Sequence, residues 1–231
     1  QNRYGNGGFK RLLNEGFSGE NTLIRHAPTV TACGHSSVYT GSVPAINGIA
    51  GNSWYDRSWG REISNVEDTT VTGVDGNPKE NKSPRNLLTT TIGDALRNAT
   101  SYQSKVVGVS IKDRGAILPA GHTANAAFWE GAGGFTTSTY YMNALPGWAK
   151  KFNEKNWKQI LMPKGWETLY PLNTDKLSEE DDKDYENSFS GEDKPVFPHT
   201  KLSISNTPFG NTWTLEFAKE AIPAYQLGQG S

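Results

Sequence analysis

"SPRNLLTTTIGDALRNATSYQSKVVGVSI", residues 83–111, decides the fold class. Ser83 stands where a helix cap would, with Pro84 at the first helical position. Leu87, Leu88, Ile92, Ala95 and Leu96 then recur at helical spacing, which predicts a helix over 83–100. Beyond it, Val106 to Ile111 is a short, mostly apolar run between polar neighbours, the pattern of a strand buried on both faces. A helix feeding such a strand predicts an α/β layer.

Upstream, "GFKRLLNEG" at 8–16 has helical spacing and a glycine stop. "TLIRHAPTVT" at 22–31 reads as extended, because Pro28 disfavours a helix before Thr31. Residues 32–41 suit a short helix. "VPAINGIAGNSWYDRSWGREI" at 43–63 is rich in turn residues, and its second half predicts a hairpin around Ser58 to Gly60. Downstream, periodicity is weak from Asn125 to Pro208 apart from "PGWAKKFNEKNW". A last helix is expected from near Asn211, interrupted at Pro223. The expected organisation is therefore a core segment over 1–124, an aromatic-rich cap or insertion over 125–208, and a return to the core over 209–231.

Composition narrows the function classes. The 231 residues carry a net charge of -1, which gives no general electrostatic grip on nucleic acid or an anionic membrane. No apolar run approaches the ~20 residues of a membrane span. Cys33 is the single cysteine, so neither an internal disulfide nor a Cys-based zinc site is available. His26, His35, His122 and His199 show no metal-motif spacing, and no G-x-S-x-G elbow surrounds Ser36 or Ser37. The acidic tract over 175–193 reads as a solvated loop; its spacing is not that of an EF-hand calcium loop.

Three features carry chemistry. In "TVTACGHSSVYTG", residues 29–41 with the flanking turn, Thr31 sits at a strand-to-helix corner among small side chains. A hydroxyl there faces unpaired N–H groups and the positive end of a helix dipole, an anion site with Gly34 leaving it open. The same residue also suits a plain N-cap, worth about 1 kcal/mol. Lys112 and Arg114 follow the buried run. Strand alternation would set both on one face and Asp113 on the other, where two cations can clamp a phosphoryl group or simply meet solvent. Asn52, in "GIAGNSWYDR", can donate an amide N–H to an oxyanion or serve as a turn residue.

Together, "PTVTACGHSSVYTGSVPAINGIAGNSWYDR", "SPRNLLTTTIGDALR" and "SKVVGVSIKDRGAILPAGHTANAAFW" resemble the alkaline phosphatase superfamily. The likeness is to the branch joining type I phosphodiesterases and nucleotide pyrophosphatases with bacterial phosphate-irrepressible alkaline phosphatases. It implies an alkaline-phosphatase-like three-layer α/β sandwich and a two-zinc, exported (periplasmic or secreted) phosphohydrolase of small phosphate monoesters. Thr31 matches the family's nucleophile and zinc ligand, which passes through a phosphothreonine. Asn52 matches the phosphoryl-binding asparagine, and Lys112 with Arg114 matches the pair of the monoesterase members, which diesterases lack. A dianionic monoester has more charge for extra cations to meet than a diester has. The family's remaining zinc ligands, in Asp-x-x-x-His and Asp-His motifs, have no counterpart in the 231 residues. The expectation is a piece of the catalytic chain that lacks the metal centre and is inactive alone. Two other readings are a diesterase or pyrophosphatase of the same branch, and a non-catalytic phosphate-binding domain.

Overall fold

The fold, a computed structural model that describes residues 4–172, 174 and 179–229, is mixed α/β. In chain order its elements are α1 (Phe9–Glu15), α2 (Thr31–Thr40), α3 (Pro44–Asn47), β1 (Ser53–Asp56), β2 (Arg61–Ser64), α4 (Ile92–Ala99), β3 (Val107–Val109), α5 (Asp113–Ala120), β4 (Ala126–Gly131), β5 (Gly134–Thr136), α6 (Gly147–Asn153), α7 (Trp157–Leu161) and α8 (Phe209–Tyr225).

Strands β3, β4 and β5 form one sheet in that order, β3 parallel to β4 and β4 antiparallel to β5. The ladder from β3 to β4 extends beyond the strand ends. Asn125 N–H donates to Val106 O, Ser110 N–H to Phe128 O and Glu130 N–H to Ile111 O, so the expected strand over 106–111 is paired throughout. Because side chains alternate, β4 divides its residues between two cores. Ala127 and Trp129 join Ala32, Ile49, Leu87, Ala116 and Ile117 on one side; Ala126 and Phe128 join Phe135, Phe152, Trp213 and Phe217 on the other. Helices α2 and α5 cover the first face and α6 and α8 the second, giving three layers. Gly108 sets how closely α5 lies on the sheet. A methyl there would fall 2.2 Å from Ala116 O and 3.0 Å from Ala120 Cβ, so only glycine permits this spacing.

Several local expectations hold. Helix α1 ends at Gly16, and α2 ends on Gly41 in the left-handed region. Strands β1 and β2 form the hairpin, with Trp54 opposite Ile63. Its turn is set by Asp56, whose Oδ1 accepts from Ser58 N–H at 2.8 Å and Trp59 N–H at 3.1 Å.

Other expectations are corrected. No helix spans 83–100; only Ile92–Ala99 is helical. Ser83 is not its cap but donates to Asp68 Oδ2 at 2.6 Å, while Leu88 N–H bonds Asn47 O, holding 83–88 in turns. The actual start is a capping box formed by Thr91 and Asp94. Residues 126–136, which show little periodicity, form β4 and β5; Ala126 to Trp129 are buried whichever way they point, which erases alternation there. Helix α8 begins two residues early, at Phe209, and passes Pro223 to end at Tyr225.

Asp94 also ties α4 to the next loop. Fully buried, it accepts from Thr91 N–H at 2.9 Å, Thr123 N–H at 2.8 Å, Thr123 Oγ1 at 2.7 Å and His122 N–H at 3.2 Å. Burial alone would raise its pKa, but these donors outweigh it and hold the carboxyl at about 2. A folded pKa below the unfolded one stabilises the fold above the unfolded value, and that stabilisation is lost as pH falls through the folded one. The shift corresponds to about 2 kcal/mol, lost between about pH 4 and pH 2. Asp94→Asn is expected to lower stability at pH 7 by about that much and to flatten the acid limb, measured by urea titrations from pH 7 to pH 2.

Candidate functional site

Thr31 is the first residue of α2, one position inside the cap. The cap is Val30, extended at φ -94° and ψ 164°, with no side-chain capping bond. Thr31 is exposed, and its hydroxyl makes no hydrogen bond among the described residues. It is therefore not an N-cap residue, and the bond that a cap would supply comes from elsewhere. Asn52 Oδ1 accepts from Ala32 N–H at 3.0 Å, at the second helical position where a capping oxygen normally acts.

This bond fixes the asparagine. With Oδ1 against an N–H donor, its Nδ2 carries both N–H groups on the other side, where no acceptor is found among the described residues. The Asn52 backbone is held as firmly. Its carbonyl accepts from Asn65 N–H at 3.2 Å and from Asn65 Nδ2 at 2.5 Å, and Asn65 is fully buried. The loop leading to it is pinned by Cys33, whose buried thiol donates to Ile49 O at 3.2 Å, and by Asn47 Oδ1, which accepts from Ile49 N–H. Burial pushes the Cys33 thiol up, so it is a packing group rather than a nucleophile. A methyl at Gly34 would meet nothing within 4 Å, so this face of α2 is open.

Helix α5 starts beside α2. A methyl at Gly115 would lie 2.6 Å from Ser110 Oγ and 3.7 Å from His35 Nε2, which places His35 against the first turn of α5. Thr31 is one turn, about 5 Å, before His35. The first turn of α5 thus lies against the middle of α2, one turn beyond Thr31, and each helix start favours negative charge.

Lys112 and Arg114 are not on one face of a strand. Lys112 is the cap residue of α5 at φ -94° and ψ 138°, and Arg114 is the second helical residue. The chain turns into the helix at Asp113, so alternation stops before the pair. Both cations nevertheless stand at the same helix end, at the carboxyl edge of β3 where open α/β sheets bind ligands. Lys112 is exposed, and no partner for its Nζ is found among the described residues.

Asp113, expected to point away, instead serves this end. Its Oδ1 accepts from Arg114 N–H at 2.6 Å and lies 3.4 Å from Arg114 Nε; its Oδ2 lies 3.0 Å from Lys82 Nζ. Lys82 Nζ also bonds Glu80 Oε2 at 2.9 Å, and Glu80 Oε2 accepts from Trp129 Nε1 at 2.6 Å. Burial would raise Asp113, but Lys82 and the Arg114 N–H hold it below the usual carboxylate range. Glu80 ends a short 3-10 helix over Pro78–Glu80 and Lys82 bridges to Glu67, with no periodic signal marking either.

Two further histidines, His122 and His199, are structural. His122 Nε2 is 2.8 Å from Leu87 O, and buried His199 pairs its Nδ1 with Glu192 Oε2 at 2.6 Å. Among the described residues no group of three or more His, Cys, Asp or Glu gathers as a metal site. In the described part of the acidic tract Lys183 pairs with Glu180, and groups just beyond it pair with Asp182 (Lys194) and Glu192 (His199); residues 175–178 lie outside the described residues. No helix among the described residues is long and apolar enough to cross a membrane.

The family model described as type I phosphodiesterase / nucleotide pyrophosphatase matches residues 2–201. Alkaline phosphatase PhoV of Synechococcus elongatus is 54% identical over 98% of this chain and 43% of its own length. A protein named calcium-transporting ATPase from Myroides odoratus has the same identity and coverage. Alkaline phosphatase PafA of Elizabethkingia meningoseptica is 48% identical over 98% of this chain and 44% of its length. A crystal structure of wild-type PafA superposes with a TM-score of 0.93 at 47% identity, covering 99% of this chain and 46% of that one. A second PafA structure, with a TM-score of 0.92, is of a variant substituted at one threonine, one asparagine, one lysine and one arginine. The chain spans less than half the length of these relatives.

Proposed function

From the premise that the chain belongs to the type I phosphodiesterase / nucleotide pyrophosphatase family and has an alkaline-phosphatase-like fold, we propose that it carries the nucleophile and phosphoryl clamp of a phosphate monoester hydrolase. The observation that carries this reading is the Asn52 bond to Ala32 N–H. It holds an amide donor pair beside a threonine hydroxyl that no structural bond employs. Thr31 Oγ1 attacks phosphorus, and the ester oxygen leaves with the bonding pair, giving a phosphothreonine that water then hydrolyses. Asn52 Nδ2, Lys112 Nζ and the Arg114 guanidinium bind the phosphoryl oxygens. The substitution set of the PafA variant supports these roles, since Thr31, Asn52, Lys112 and Arg114 follow in the same order, with lysine and arginine two positions apart as there.

A threonine hydroxyl is a weak nucleophile until a base or metal activates it. The described residues do not make a two-zinc site, since one threonine oxygen is the only expected ligand among them. Zinc is accordingly proposed for a protein of the relatives' full length, and so is export to the periplasm or medium. Two equally similar relatives carry different names, and the alkaline phosphatase name is the one for which the site gives a reason. The pair of cations favours a dianionic monoester over a diester.

Hydrolysis of p-nitrophenyl phosphate and bis-p-nitrophenyl phosphate tests the reading. A full-length protein containing this chain, with zinc, is expected to turn over the monoester preferentially, and residues 1–231 alone to turn over neither. Diester preference in the full-length protein would overturn the monoesterase assignment.

A further inference from the structure

The ion chain behind Arg114 has no evident task in stabilising the fold. Trp129, Glu80, Lys82, Asp113 and Arg114 are linked in series, and the side chains of Glu80, Lys82 and Asp113 are at most 20% exposed. Buried ion pairs seldom add net stability, because desolvation consumes what attraction returns, whereas breaking one leaves an uncompensated charge. Such a chain needs another reason to exist.

Its geometry supplies one. Asp113 uses one oxygen for each neighbour, Oδ2 for Lys82 and Oδ1 for the backbone N–H and Nε side of Arg114. Engaging the Nε side leaves both Nη groups without an acceptor among the described residues, presented as a two-pronged fork. Lys82 is itself immobilised. Its Nζ bonds Glu80 and lies over the Trp129 ring at 5.8 Å, and its backbone carbonyl accepts from Ser138 Oγ at 2.6 Å. The far end of the series, Trp129, is fully buried in the middle of β4.

We infer that Asp113, anchored through Lys82 and Glu80 to the sheet, is a positioning residue that aims the Arg114 fork at the phosphoryl group. The inference rests on the reading of Arg114 as a phosphoryl binder. Asp113 itself touches no reacting atom. Removing its charge lets the guanidinium swing, and Lys82 is left with Glu80 alone.

The test uses the full-length zinc-loaded protein. Asp113→Asn is expected to lower kcat/KM for p-nitrophenyl phosphate roughly ten- to a hundredfold, the scale of a misplaced binding group, and to weaken inhibition by inorganic phosphate in parallel. Diester turnover should fall much less. In an Arg114→Ala background, Asp113→Asn should add almost nothing, because the group it positions is gone. Lys82→Met, which keeps the stem, should reproduce the same coupling if Asp113→Asn fails to fold. An equal loss in the Arg114→Ala background, or equal losses on both esters, would make the chain merely structural and overturn the inference. Full wild-type monoester turnover with an unchanged Asp113→Asn would also overturn it, leaving the proposed function standing. Absence of monoester turnover in the wild type would overturn the proposed function and this inference together.

Discussion

Thr31→Ala is expected to abolish phosphate ester turnover while leaving the fold as stable as before. The two halves of that result come from one observation, that Thr31 lies inside α2 with Val30 at the cap and with its hydroxyl unbonded. Had Thr31 been a cap, alanine would cost about 1 kcal/mol of stability. Because Asn52 caps the helix in its place, the hydroxyl is free of structural duty, and its loss should be invisible in thermal or urea unfolding. Removing the attacking atom should lower kcat by on the order of 10⁴-fold or more, as for other covalent nucleophiles. Thr31→Ser retains an oxygen and should keep measurable turnover. A stable Thr31→Ala protein with near-normal turnover would return Thr31 to a purely local role.

The second large effect concerns substrate choice. On the proposed function, Lys112→Ala and Arg114→Ala are each expected to remove a charge-assisted hydrogen bond to a phosphoryl oxygen, worth roughly 1.5–3 kcal/mol, or about ten- to a hundredfold in rate. The double variant should therefore lose roughly 10²–10⁴-fold in kcat/KM for a monoester. A diester has one fewer charge to neutralise and should lose much less, so the ratio of the two rates is the measurement. Equal losses on both esters would remove the basis for the monoesterase assignment. Stability of Lys112→Ala should change little, since Lys112 is exposed and pairs with no described group.

The sequence made some of this legible because the signals are local. Thr31 at a corner, Asn52 among glycines and Gly41 at a helix end are each dictated by neighbours within a few residues. The strand over 106–111 shows itself as an apolar run, yet as the edge of its sheet it is half-buried along its length rather than buried on both faces. The Lys112–Arg114 reading rested on the wrong geometry. Period-two alternation cannot foresee that Asp113 opens a helix, and the pair is united by a helix end rather than a sheet face. The helix over 83–100 failed for a different reason. Its first third is held in turns by Asp68 and Asn47, contacts from 15 and about 40 residues away in sequence, which outweigh a good local pattern. Lys82 and Glu80 were invisible for the same reason. Their role depends on Trp129, 49 residues beyond Glu80, and no local spacing encodes it.

The thiol of Cys33 gives helix α2 a built-in clock. It is the chain's single cysteine, sits two positions after Thr31, is fully buried, and donates to Ile49 O in the loop that carries Asn52. A thiol reagent reaches it when α2 lifts from that loop, an opening that also parts Thr31 from Asn52. The labelling rate of an unmodified protein therefore counts openings of the site itself, and its ratio to the rate of an unfolded chain converts directly into a local opening free energy.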